Sequence, residues 1–177
     1  MRFIKLREEH LEQVLKWRTS EHVTKYMYTD IEDNLEKQKQ WFAKVKQDTN
    51  SKYWVIEFKD QLIGLVSLHE IDMQNKRATW AYYIGEPAYS MVGPMIGPYL
   101  YNYVFSELGL KKLMGEVMSQ NENVRKTHKM HGCREVGYYK DHIYKYGEWH
   151  DVYLYEMLAK DWQQQQKKYK RYQGEFE

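Results

Sequence analysis

The chain has 177 residues, a formal net charge of +2 and a single cysteine, Cys133. Its length fits one compact domain, and one cysteine excludes an internal disulfide framework and a zinc site built on several thiolates. The charge surplus is too small to suggest a nucleic-acid partner, and neither a bilayer-spanning stretch nor a secretory signal is evident, so we expect a cytoplasmic protein without membrane contact.

The first half of the chain predicts one strand followed by two helices. Alternating apolar and polar residues indicate a strand at 2–6, and an acidic, helix-favouring stretch follows at 8–18. A second helix, capped by Asp30 or Asp33, should run to about Lys46. The segment between the two helices is short, aromatic and irregular.

Three strands of antiparallel character come next, at 53–58, 62–68 and 78–84. A tight hairpin turn at 59–61 separates the first two. A loop rich in Gly and Pro follows the third strand, and a helix is expected at 95–108.

The last third predicts a strand at 113–118, a helix at 122–131 and a terminal hairpin formed by 135–139 and 151–157.

These predicted elements form one domain over residues 1–160. The remaining segment, 161–177, is polar and weakly helical, and we expect a solvated helical tail there.

Residues 82–97 (YYIGEPAYSMVGPMIG) join a strand to a helix through a glycine-bearing loop. Main-chain N–H groups and the positive end of a helix that opens near Gly93 or Pro94 would point into one concavity, which predicts an anion cradle. Gly93 and Gly97 would let the backbone approach a phosphate closely. The alternative is a plain strand-to-helix connection.

Other catalytic motifs find little support. The chain has no Walker motif, no G-x-G-x-x-G and no G-x-S-x-G. His128 and His131 lie three residues apart on one predicted helix and could bind a metal in a hydrolase, but spacing suggests no third ligand. We therefore expect no metal site.

The order of elements and the cradle together resemble the GNAT family of N-acetyltransferases over nearly the whole chain to about residue 160. The segments that carry the resemblance are 14–18 (VLKWR), 62–65 (LIGL), 81–87 (AYYIGEP), 103–105 (YVF), 113–117 (LMGEV) and 121–132. The resemblance implies an α+β fold with a central mixed, mostly antiparallel sheet, splayed between two strands and with helices on both faces. It also implies acetyl-CoA as cosubstrate and direct attack of a primary amine on the thioester.

Within the family, residues 17–27 and 46–48 look most like the branch that acetylates the 4-amino group of a UDP-linked amino-deoxysugar in pseudaminic acid biosynthesis. Ribosomal-protein N-terminal acetyltransferases share residues 82–87 and form the alternative. Met91 and Pro94 depart from the family's phosphate loop, which keeps a non-catalytic acyl-CoA-binding module as a third reading. The expected partner is a small-molecule amine, and a homodimer is compatible with the family.

The resemblance also assigns residues to the cofactor. A main-chain amide at the splayed strand would polarise the thioester carbonyl, the same strand would pair with the pantetheine arm, and the loop would hold the pyrophosphate. The implied cofactor-binding residues are Tyr82, Tyr83, Ile84, Met91, Val92, Gly93 and Asn121.

By spacing from Asn121 to Gly132, His128 stands where many members carry the tyrosine that protonates the departing thiolate. An imidazolium of ordinary pKa near 6.5 would be a strong donor there. Tyr138, Tyr139 or water are the alternatives.

For the base, Glu70 and His69 at a strand end are candidates, beside a water relay. Tyr83 on the splayed strand is counted with the catalytic residues.

The chain carries 17 Tyr and 6 Trp against 5 Phe, so most aromatic rings have a polar group and suit a half-wet cleft or a Tyr-rich core. We expect Tyr26, Met27, Tyr28 and Tyr83 to contact the acceptor, through its nucleotide base and the methyl of its deoxysugar. Cys133 is expected to be a small buried apolar residue.

Overall fold

A mixed sheet of eight strands runs through the protein, and the computed structural model describes residues 1–177. The strands are β1 (Arg2–Lys5), β2 (Lys52–Phe58), β3 (Gln61–Asp72), β4 (Arg77–Ile84), β5 (Lys112–Met118), β6 (Arg134–Lys145), β7 (Glu148–Leu158) and β8 (Glu175–Phe176). Their spatial order is β6-β7-β5-β4-β3-β2-β1-β8. The pairs β4–β5 and β1–β8 are parallel and all others are antiparallel, which confirms the expected α+β class.

Six helices accompany the sheet: α1 (Leu11–Thr19), α2 (Glu21–Thr24), α3 (Leu35–Gln47), α4 (Gly93–Asn102), α5 (Glu122–Met130) and α6 (Ala159–Gln165). A 3-10 turn at Pro87–Val92 leads into α4, and a π turn at Tyr103–Glu107 extends it. The predicted order of elements is confirmed. The structure adds α2 and β8 to it, and α6 lies at the start of the C-terminal segment that was expected to be helical.

Helices cover both faces of the sheet, as expected. On one face, α1 and α3 bury a small apolar cluster that includes Trp17, Phe42 and Leu65. On the other, α4 and its neighbours cover a larger core around Trp54 and Tyr101. We call the face under α1 and α3 the acceptor face.

Local turn chemistry follows the sequence in most places. Lys59 and Asp60 both have positive φ, 51° and 58°, as a two-residue hairpin turn requires. The cap of α3 is Asn34, whose side chain accepts a hydrogen bond from Lys37 N at 3.1 Å. This corrects the expected caps, Asp30 and Asp33.

The C-terminal segment is not a solvated tail. Trp162 and Tyr169 are buried in the main core, and β8 pairs with β1. The Phe176 ring stacks on Phe3 and on Tyr103, each at 4.0 Å between ring centroids. The division at residue 160 is therefore corrected, because the segment packs into the same core as the rest.

The sheet splays between β4 and β5. These strands pair only through Arg77–Lys112, Ala78–Leu113 and Thr79–Met114. Beyond those pairs, β4 continues to Ile84 beside β3, and β5 continues to Met118 beside β7. The result is the open V that the family resemblance predicts.

Candidate active site

The two arms of the V carry unpaired main-chain groups. Gly85 N donates to Ile63 O at 2.7 Å, and the alternation that this bond sets along β4 directs the main-chain N–H and C=O groups of Tyr82 and Ile84 into the gap. The same alternation turns the Tyr83 amide toward β3, which corrects Tyr83 as a main-chain donor. An extended ligand with amide groups could pair with these free edges.

The arm formed by β5 is open in the same way. Ser119 N donates to Asp151 O at 2.8 Å, and the alternation it sets leaves the main chain of Glu116 and Met118 facing the gap. Asn121 follows at the start of α5, and its side chain makes no capping hydrogen bond. Its amide is therefore available to a ligand at this end of the V.

The expected phosphate cradle is a helical turn instead of an open loop. Gly93 has a helical φ of −45° and its N–H already donates to Ser90 O. A Cβ at Gly93 would lie 3.7 Å from the Tyr82 hydroxyl, so the protein leaves room there for a side chain. A Cβ at Gly97 would lie 3.0 Å from the His131 ring. Gly97 thus serves helix packing, which corrects its place in the cradle.

His128 lies at the closed end of the V. Its ring stacks on Tyr155 at 4.8 Å and meets the Trp80 ring edge-on at 5.7 Å. Burial lowers its pKa to about 4, so the ring is neutral at pH 7. The expected imidazolium acid is corrected: only a neutral N–H is available, and Nδ1 has no hydrogen-bond partner.

A cavity of about 580 Å³ opens on the acceptor face beside β4. Its lining combines apolar and aromatic side chains with a few polar ones. Its main lining residues are Val14, Arg18, Met27, Asp30, Glu32, Lys37, Gln38, Trp41, Tyr53, Leu65, Ser67, Ala81 and Tyr83. This composition is typical of a small-molecule site.

Not every charged side chain that lines this cavity forms a salt bridge. Lys37 pairs with Glu32 at 2.7 Å, and Lys145 pairs with Asp30 at 2.8 Å. Arg18 forms no salt bridge, and its guanidinium donates to Thr29 O at 2.7 Å. The cavity therefore holds one cation without a carboxylate partner.

Tyr83 points its side chain toward this cavity. The hydroxyl is buried and has no hydrogen-bond partner, and burial raises the Tyr83 pKa well above its usual value. A buried hydroxyl without a partner is costly unless a ligand satisfies it. On the opposite side of β4, burial raises the pKa of Tyr82 to about 12.

The other residues that were expected to contact the acceptor lie in three different environments. Met27 lines the cavity, whereas Tyr26 does not and stacks under the Lys25 ammonium. Tyr28 reaches across the V, where its hydroxyl donates to Glu116 Oε2 at 2.5 Å. Sequence reasoning missed Glu116 because nothing in the local pattern of β5 distinguishes it.

Glu70 lies outside the cavity. It is exposed, has a φ of 51° and stands where the β3–β4 register shifts. The expectation that Glu70 is catalytic is therefore corrected, and its neighbour His69 is the strand-end residue that contacts lining residues. Cys133 is buried as expected, with Sγ 3.3 Å from the Tyr101 hydroxyl.

The structure has no cluster of three or more His, Cys, Asp or Glu that could hold a metal ion, so His128 and His131 lack a third ligand. No helix is both long and apolar enough to cross a membrane.

A family model described as an acetyltransferase (GNAT) domain matches residues 1–134. The chain belongs to the GNAT family of acetyltransferases. It is an N-acetyltransferase that uses acetyl-CoA, and the V with its free main-chain edges fits that cosubstrate.

Relatives resemble this GNAT chain at low identity. Acetyltransferase PseH of Campylobacter jejuni is 25% identical over 154 residues, which cover 85% of this chain and 87% of that protein. YdaF of Bacillus subtilis, whose name suggests a ribosomal N-acetyltransferase, is 29% identical over 60% of this chain and 58% of its own length. The crystal structure of spermidine N-acetyltransferase from Vibrio cholerae with CoA and spermine matches with a TM-score of 0.84 at 19% identity, over 91% of this chain and 96% of that one. This last likeness shows the fold alone.

Proposed function

We propose that this enzyme acetylates the primary amine of a nucleotide-linked amino sugar, the 4-amino group of a UDP-linked amino-deoxysugar. The observation that carries the proposal is the unmatched Arg18 guanidinium beside the unpartnered Tyr83 hydroxyl, both in a cavity of about 580 Å³ next to the V. A diphosphate supplies the anionic oxygens that such a pair lacks. The likeness to PseH supports the same branch of the family.

The V supports a specific arrangement of acetyl-CoA. The main chain of Tyr82 and Ile84 would pair with the pantetheine arm, and the Tyr82 amide would polarise the thioester carbonyl. Asn121 would contact the arm from the other side of the gap, and the turn at Met91, Val92 and Gly93 would lie against the pyrophosphate. Because the Gly93 N–H is already bonded within the turn, we expect the helix dipole to contribute more than that single amide.

The amine would approach from the acceptor face. Glu116 would accept a hydrogen bond from the neutral substrate amine, and Tyr28 would exchange its hydrogen bond to Glu116 for one to the sugar. Met27 and the aromatic walls of the cavity suit a nucleotide base and the methyl of a deoxysugar. The neutral His128 N–H would donate a hydrogen bond to the thiolate as it leaves and so stabilise its charge.

A polyamine acceptor is less well supported. The two carboxylates that line the cavity, Asp30 and Glu32, are already paired with Lys145 and Lys37. Arg18 would repel a polycation in the same space.

A thiol-release assay tests the proposal with three acceptors: a UDP-linked 4-amino-deoxysugar, spermidine and a peptide with a free N-terminus. We expect turnover of the first, and Arg18→Gln should raise its KM about tenfold to a hundredfold, the value of one charge-assisted hydrogen bond. Lys25→Gln, on a cation outside the cavity, is the matched control. Preference for spermidine or the peptide, or an Arg18→Gln enzyme equal to wild type, would contradict the proposal.

A further inference from the structure

Three polar side chains form a connected group at the edge of the acceptor cavity. The Ser67 Oγ lies 2.8 Å from His69 Nε2, and the Tyr53 hydroxyl lies 3.3 Å from His69 Nδ1. The Tyr53 ring also meets the His69 ring edge-on at 5.1 Å between centroids. A hydroxyl bonded to a histidine whose other nitrogen is held by a third group is an arrangement that can move a proton.

Strand geometry places this group next to the V. Ser67 on β3 is paired with Ala81 on β4, directly before the two β4 residues assigned to the cosubstrate and the acceptor. Ser67, Tyr53 and Ala81 all line the acceptor cavity, and Ser67 is only 4% exposed. The Ser67 hydroxyl is thus a buried polar group that an amine in the cavity can reach.

The surroundings of His69 keep its ring neutral near pH 7. Burial lowers the His69 pKa below its ordinary value of 6.5, although the carboxylates of Glu70 and Asp48 act in the opposite direction. The titratable groups that face it are Tyr53 on β2, Asp48 in the loop after α3 and Glu70 on its own strand. The Thr79 hydroxyl on β4 donates a hydrogen bond to the His69 main-chain oxygen, at 3.3 Å, and not to the His69 ring.

We propose that Ser67 and His69 form the proton relay that takes the surplus proton from the acceptor amine. The neutral amine nitrogen attacks the thioester carbonyl carbon, the new C–N bond forms, and the nitrogen becomes positively charged. Its proton passes to Ser67 Oγ while the Ser67 proton passes to His69 Nε2. The C–S bond then breaks with its electron pair leaving on sulfur, the carbonyl re-forms, and His69 releases its proton to solvent while the thiolate takes one up.

This relay rests on the cavity being the acceptor site, but not on which amine fills it. It requires the His69 tautomer that carries its proton on Nδ1, where the Tyr53 oxygen can accept it. Tyr53 is therefore a positioning residue, because it acts on the orientation of the ring and not on the substrate.

The test compares Ser67→Val with Ser67→Thr, which have the same shape and differ in the hydroxyl. We expect Ser67→Val to lower kcat about a hundredfold, the low end for a lost acid–base group, and Ser67→Thr to lose at least tenfold less. His69→Asn should match Ser67→Val, and the double variant should lose no more than either single one, because the two act as a unit. KM for acetyl-CoA should stay within about twofold of wild type.

Thr79→Val is the control for removing a hydroxyl from this face without touching the His69 ring, and it should keep wild-type kcat. Protonation of His69 at acid pH would block the relay, so kcat of the wild type should fall as the pH is lowered. This fall should be absent in His69→Asn. Equal rates in Ser67→Val and Ser67→Thr, or losses that multiply in the double variant, would overturn the relay. A large loss of kcat in Glu116→Gln, together with full activity of Ser67→Val, would also overturn the relay. Because the rates are measured with whichever amine turns over, a negative result is separable from an incorrect acceptor class.

Discussion

Replacing His128 by phenylalanine should make the fold less sensitive to acid. Burial sets the His128 pKa at about 4 in the folded protein, against an ordinary value of 6.5 in the unfolded chain. Between these values the unfolded state binds the proton and the folded state does not. The contribution of His128 to the free energy of unfolding is therefore intact above pH 6.5 and is lost progressively as the pH falls.

The size of the effect follows from the two pKa values. At about 1.4 kcal/mol for each pKa unit, the difference amounts to about 3 kcal/mol at pH 4 and about 2 kcal/mol at pH 5. Phenylalanine keeps an aromatic ring against Tyr155 but cannot take a proton. The variant should thus lose about 2 kcal/mol less than wild type between pH 7 and pH 5.

Urea unfolding at pH 7 and pH 5 measures both losses, and the difference between them isolates His128 from the other titrating groups. His128→Gln serves as a second non-titrating variant, and the exposed His142→Phe is the control that should behave as wild type. If wild type and His128→Phe lose equal stability over this range, the ring is not held neutral by burial and the reasoning fails.

Three further outcomes are expected. Gly93→Ala should raise the free energy of unfolding by about 0.5–1 kcal/mol, because this helical position has room for a methyl group. The same methyl group should raise KM for acetyl-CoA. An unchanged KM would show that the pyrophosphate does not lie against Gly93. Phe176→Ala should lower the free energy of unfolding in urea by about 3 kcal/mol, since the ring stacks on two others. A loss below about 1 kcal/mol would show that the C-terminus contributes little to the core. Tyr28→Phe should raise KM for the acceptor about tenfold at constant KM for acetyl-CoA, and an increase in both constants would show a general loss of structure.

Sequence reasoning works best where a local pattern suffices. The strands with clear alternation appear within a few residues of their predicted ends. Gly109 and Gly132 directly follow the helices predicted at 95–108 and 122–131, and their φ values of 65° and 80° favour glycine. The terminal hairpin is longer than predicted, because Tyr146 and Gly147 form a tight turn with positive φ that lets both strands continue.

Features that depend on distant partners were not accessible. The burial of Trp162 and Phe176 depends on contacts with rings elsewhere in the chain, and the polar residues around them suggest solvent exposure. Tyr28 and Glu116 are 88 residues apart, so no spacing rule connects them. For His128 the position in the helix was predictable, but its pKa depends on how deeply the helix packs.

The open V divides the sheet into a group of five strands and a group of three, joined by only three residue pairs. A ligand that contacts both arms of the V adds interactions between the two groups of strands, and it binds only the folded state. By mass action the melting temperature should then rise with the concentration of CoA compounds, so preparations that retain different amounts of them will differ in thermostability without differing in sequence. Stability comparisons between variants of this enzyme consequently require a fixed and stated cofactor concentration.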